Sequence, residues 1–130
     1  MKTFATFNAE HGKESIKYSD LTYLEEIASG SKDFMKKMIE TFIELTPGLL
    51  NEMDICLKEK DWDKLKRIAH KIKPSIDFMG ISSLWETIQK IEKYAGEEIY
   101  LELMPDLLSK TKRICFNVIE ELKEEIKIYA

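Results

Sequence analysis

Four stretches of this sequence place apolar residues at steps of three and four for several turns each, and short connections separate them. That step is the period of an α-helix with one buried face. Helices so patterned and so closely joined hide their stripes by packing antiparallel against one another. The expected fold class is therefore all-α: an antiparallel four-helix bundle, with a short additional N-terminal helix. Five Gly and three Pro in 130 residues leave too few turns for a β-sandwich or barrel.

The short helix is expected from Ser19-Asp20-Leu21-Thr22-Tyr23-Leu24 to about Gly30, opened by an Asp or Ser cap. Ser31 caps the next helix, whose stripe reads Phe34, Met38, Phe42, Leu45, Leu49, Met53 and Cys56. Pro47 falls inside that stripe and the phase continues through it, so a kinked helix is expected over a broken one. A third helix spans about 61–79, with Leu65, Ile68, Ala69, Ile72, Ile76 and Met79 inward and Gly80 as a left-handed cap. Ser83-x-x-Glu86 has the pattern of a capping box opening the fourth helix, with Leu84, Ile88, Ile91 and Ala95 inward and Gly96 ending it. The last helix starts between Glu98 and Asp106, with Pro105 in its first turn. Its stripe is Leu101, Met104, Leu108, Thr111, Cys115, Val118, Leu122 and Ile126. Residues 1–19 carry no sustained period and read as an N-terminal tail, packing locally through Phe4, Phe7 or Tyr18; residues 20–130 form the bundle domain.

The net charge of −4 disfavours a nucleic-acid or anionic-membrane binder. No apolar run approaches the length of a membrane span, and the first residues lack an apolar signal core. Two cysteines 59 residues apart make no framework, which fits a reducing cytoplasm; both sit on apolar stripes and read as core. His11, in the tail, reads as solvated. Trp62 and Trp85 read as packing or boundary aromatics.

One segment departs from this background. Residues 58–73 carry seven Lys or Arg against three acids, a local +4 in an acidic chain. At roughly 100° per residue on a helical wheel, Asp63, Lys66, Arg67, Lys73, Pro74 and Asp77 lie within about 60° of His70, with Leu65, Ile68 and Ile72 on the far side. His70 therefore points to solvent midway along the third helix, with Lys66 and Lys73 as its neighbours at i−4 and i+3. An exposed imidazole is a nucleophile through one ring nitrogen. A phosphoryl group placed on it would be met by charge-assisted hydrogen bonds from the lysines. No second His, acid–His dyad or oxyanion loop is visible beside it. Neither GxxxxGK[ST] nor GxGxxG occurs, so the chain is read as a phosphocarrier without its own kinase site, and not as an enzyme.

Ala69-His70-Lys71-Ile72-Lys73-Pro74-Ser75, with Gly80 beyond it, resembles the motif of histidine-containing phosphotransfer (HPt) domains: His-x-hydrophobic-Lys-small-Ser, then Gly about ten residues after the His. Asp20-Leu21-x-Tyr23-Leu24, Thr46-Pro47-x-Leu49-Leu50 and Asp61-Trp62 are similar to positions typical of these domains, and the resemblance covers about 20–128. It implies that His70 accepts the phosphoryl group, that Lys73 holds the phosphoryl oxygens and that position 74 faces a docking partner; from the wheel, Lys66 is the second cation, and Arg67, Asp77 and, at about 80°, Phe78 join Pro74 as docking candidates. Where the family usually has Gly, this chain has Pro74, which removes the hydrogen bond to the His70 carbonyl. The implied partners are response-regulator receiver domains and a hybrid sensor histidine kinase. Mg²⁺ is expected in the partner receiver and no cofactor in this chain. The implied state is a cytoplasmic monomer relaying phosphate in two-component signal transduction. The competing readings are a non-phosphorylated helical adaptor and a histidine-kinase dimerisation domain; in the second, an acidic residue would follow the His, where this chain has Lys71.

Overall fold

The computed structural model describes residues 16–130, among which every regular element is helical. After α1 (Thr22–Ala28) come α2 (Lys32–Glu59), α3 (Trp62–Phe78), α4 (Trp85–Glu97) and α5 (Met104–Glu125). Short 3₁₀ turns, Ser82–Leu84 and Leu101–Leu103, lead into α4 and α5, and another, Ile126–Tyr129, follows α5. The long helices form a closed ring in which α2 packs on α3 and α5, and α4 on α3 and α5. Cross-helix pairs fix the antiparallel sense. His70 and Lys73 of α3 meet Glu92 of α4, while Lys66, one turn earlier on α3, meets Gly96, one turn later on α4.

The helix ends follow from local chemistry. Ser31 Oγ accepts from the Phe34 amide at 3.1 Å and Asp61 Oδ1 from the Lys64 amide at 3.2 Å, each satisfying an orphan donor of a first turn. Lys60 takes a left-handed conformation to turn α2 into α3. Gly80 does the same after α3, at φ +62°. A Cβ there would lie 2.2 Å from the Asp20 carbonyl oxygen, so only glycine allows the chain before α1 to lie against this corner. The Asp20 amide donates to the Met79 carbonyl at 2.9 Å in the same contact. Glu121 of α5 holds the preceding residues: its carboxylate accepts from the amides of Tyr18 and Ser19 and from the Ser19 hydroxyl. Lys17 pairs with Glu125. Phe4, Phe7 and His11 lie outside the described residues.

The α3 stripe is buried as expected, and Leu84, Ile88, Ile91 and Ala95 of the next segment face it. Leu108, Thr111, Cys115, Val118 and Leu122 complete the core, with Ile114 and Ile119 beside them. Three expectations need correction. The buried ridge of α2 is Met35, Ile39, Phe42, Thr46, Leu50, Met53 and Cys56, which keeps Phe42, Met53 and Cys56 of the expected stripe, while Leu45 is 60% exposed. Apolar residues flank this ridge on both sides, so a stripe one residue out of phase also satisfies the helical step. As expected, α2 runs on through Pro47 without a break. Ser83 and Glu86 make no capping box, because the Ser82–Leu84 turn opens α4 and no side chain caps it. Gly96 does not end α4; the helix continues to Glu97, and Glu98 takes the left-handed turn instead.

Candidate functional site

His70 stands near the middle of α3, opposite the buried face formed by Leu65, Ile68, Ala69, Ile72 and Ile76. With those residues anchored in the core, the helical period turns position 70 outward, and its side chain is 72% exposed. Pro74, one turn on, sits inside α3, which runs on to Phe78. The proline is exposed and adds a compact surface directly beyond the ring.

The ring does not stand alone. Glu92, on α4, reaches across the helix pair: Oε2 lies 2.9 Å from His70 Nδ1, and Oε1 accepts from Lys73 Nζ at 2.6 Å. The Lys73 ammonium, followed by the bond to His70, holds the Glu92 carboxyl below its ordinary range against the opposing effect of partial burial. An ionised carboxylate only accepts hydrogen bonds. In the neutral ring the nitrogen facing it therefore carries the hydrogen, which places the lone pair on Nε2. The sequence pattern set Asp63 and Asp77 on the His70 face but did not bring Glu92 to the ring. Glu92 lies 22 residues away on another helix, and a carboxylate on the exposed side of the Leu84–Ile88–Ile91 stripe was its only available signal.

The other expected site residues divide by distance from this triad. Lys73 joins His70 through the shared carboxylate and is 36% exposed. Lys66 lines a groove of about 470 Å³ together with Lys73, Gln89, Glu92, Lys93, Gly96 and Glu97. Arg67 is exposed and pairs with Asp63 on its own helix. Asp77 is exposed at the end of α3 that lies toward α1. Phe78 is half-buried and stacks on Tyr23 of α1, ring centroids 6.0 Å apart and planes within 11°. The aromatic surface at this end is instead offered by Tyr23 and Trp85, about half exposed each. A shallow hollow lined by Lys73, Ile76, Asp77, Trp85, Ile88 and Gln89 meets a larger one beside Tyr23 at Asp77 and Trp85. A surface of mixed polar and apolar lining thus runs from the His70 helix to α1.

Among the described residues, no three His, Cys, Asp or Glu gather in a way that could hold a metal ion. No helix there is long and apolar enough to cross a membrane.

Three comparisons bear on this arrangement. The Hpt domain family matches residues 37–127. Phosphorelay intermediate protein YPD1 of Candida albicans is 27% identical over 77 residues, covering 59% of this chain and 40% of that protein; the match spans about two-fifths of the relative's length. The crystal structure of histidine-containing phosphotransfer protein B (HptB) from Pseudomonas aeruginosa PAO1 superposes with a TM-score of 0.76 over 89% of this chain and all of the other, at 23% identity. At that identity the superposition speaks for the helical bundle alone.

Proposed function

The chain belongs to the Hpt domain family, and on that premise we propose that it relays a phosphoryl group through His70 between receiver domains in two-component signal transduction. The supporting observation is the placement of one ring: the His70 side chain is largely exposed, and Nδ1, not Nε2, is the nitrogen that Glu92 engages. In the forward step the Nε2 lone pair attacks the phosphorus of a receiver aspartyl phosphate in line. The bond from phosphorus to the aspartyl oxygen breaks and its electron pair leaves as the receiver's carboxylate, while the P–N bond forms. The ring becomes positively charged, and the Glu92 carboxylate at Nδ1–H offsets that charge. The step reverses onto the aspartate of a second receiver.

Such transfers are governed mainly by positioning and electrostatics, which two docked proteins can share. Lys73, already tethered beside the ring, supplies a cation to the phosphoryl oxygens, with Lys66 as the second. The receiver brings its own Mg²⁺, and a hybrid sensor histidine kinase supplies the first phosphoryl group. The chain itself is a carrier with no kinase site, working as a cytoplasmic monomer, with 20–130 as its domain. The receiver seats over Pro74 and the aromatic surface of Tyr23 and Trp85, with Phe78 supporting Tyr23 from below and Arg67 and Asp77 at the charged rim.

Incubation with a phosphorylated receiver should give a phosphoprotein labile in acid and stable in base, and His70→Gln should abolish it. Labelling of the variant equal to that of the parent would contradict the assignment. Failure of every receiver to label the parent would favour the adaptor reading.

A further inference from the structure

Gly96 occupies an unusual place for a glycine. It lies inside α4, one residue before the helix end, and its backbone is not in the left-handed region that glycine alone favours. Alanine would suit a helix better there. The side of the residue facing α3 supplies a reason for glycine. A Cβ at position 96 would lie 3.1 Å from Cδ of Lys66, 3.4 Å from its Cε and 3.7 Å from its Cγ. The lysine stem lies across the notch that the missing side chain leaves.

The groove holding that stem also holds Lys73 and Lys93, with Glu92 and Glu97. Lys73 pairs with Glu92 and Lys93 with Glu97. Among the described residues Lys66 has no carboxylate within ion-pair distance. It is thus the cation of this groove that remains uncompensated, and Gly96 decides where it rests.

We infer that Gly96 is a positioning residue: by leaving room for the Lys66 stem, it holds the Lys66 ammonium in the groove beside the His70–Glu92–Lys73 cluster, where it serves the phosphoryl group in transfer. This inference rests on the relay reading of His70. It concerns a residue that touches no phosphate and acts only through the lysine.

The test is a graded series, Gly96→Ala and Gly96→Leu, each made in the parent and in a Lys66→Met background. Transfer from a phosphorylated receiver is followed by rapid quench, and stability by urea denaturation. Gly96→Ala should slow transfer by about threefold and Gly96→Leu by about tenfold, because progressively more of the stem is displaced. The urea midpoint should stay level or rise, since both side chains favour a helix more than glycine does. In the Lys66→Met background neither substitution should slow transfer further. Parent-like transfer by Gly96→Leu, or an equal loss in both backgrounds, would overturn the inference while leaving His70 as acceptor. Rate loss accompanied by a lowered midpoint in both variants would make Gly96 a packing residue and overturn it as well. A parent that accepts no label from any receiver would overturn the relay reading and the inference together.

Discussion

Nδ1 of His70 lies 2.9 Å from Oε2 of Glu92, across the α3–α4 pair. The contact turns an exposed histidine into an oriented one, because in the neutral ring it assigns the hydrogen to Nδ1 and the lone pair to Nε2. Glu92→Ala should therefore slow phosphoryl transfer by about tenfold or more, the usual cost of losing the group that orients a reactive histidine. Glu92→Gln keeps an acceptor but loses the charge, and should fall between the two. Single-turnover transfer rates measure this; parent-like rates for Glu92→Ala would remove Glu92 from the mechanism.

The same carboxylate links stability to pH. Glu92 has a pKa below its ordinary value of 4.5 because Lys73 and His70 favour the ionised form. A group depressed in the folded state stabilises above its unfolded pKa, and that contribution is lost as pH falls through the folded value. Parent protein should be more stable than Glu92→Gln at neutral pH, and the gap should close as pH drops below 4.5. Urea midpoints of the two proteins across that range check the prediction; a gap that widens in acid would contradict it.

Gly80 is held to glycine by both conformation and contact, with φ at +62° and the Asp20 carbonyl where a Cβ would stand. Gly80→Ala should destabilise the bundle by about 2 kcal/mol or more, through strain and displacement of the chain before α1. Because Tyr23 of α1 covers Phe78, the aromatic surface near the site should loosen as well. Thermal melting and near-ultraviolet circular dichroism measure the two effects.

Cys56 and Cys115 are buried in the core, and burial pushes the Cys115 thiol up to about 12 and raises that of Cys56. Since the thiolate is the reactive form, neither should be alkylated by iodoacetamide in the native protein near pH 8. Both should react in denaturant, as read by mass spectrometry. Rapid native labelling of Cys115 would show that α5 opens locally.

The contrast between α3 and α2 explains what was legible in the sequence. In α3 the apolar and charged residues occupy opposite sides, so one phase satisfies the pattern and the outward direction of His70 follows from the anchoring of Ile68 and Ile72. In α2 residues such as Ile43, Leu45 and Leu49 flank the ridge, and periodicity alone does not select Met35, Ile39 and Leu50 over their neighbours. Glu92 was hidden for a different reason. Its meeting with His70 depends on the rotation and register of two helices, set by interlocking of side chains far apart in sequence. Gly96 was misread because glycine near an apolar stripe's end is ordinarily a stop, whereas its role here is with Lys66 on the neighbouring helix. Ser83 and Glu86 had the spacing of a capping box, but the 3₁₀ turn at Ser82–Leu84 occupies that position.

The central claim is that His70 takes the phosphoryl group on the nitrogen that Glu92 leaves free. Phosphorus nuclear magnetic resonance of the relay product, with peptide mapping to locate the adduct, tests it most directly. The account predicts a single phosphohistidine at position 70 in the Nε2-linked form. The Nδ1-linked isomer, or phosphate on any other side chain, would contradict it.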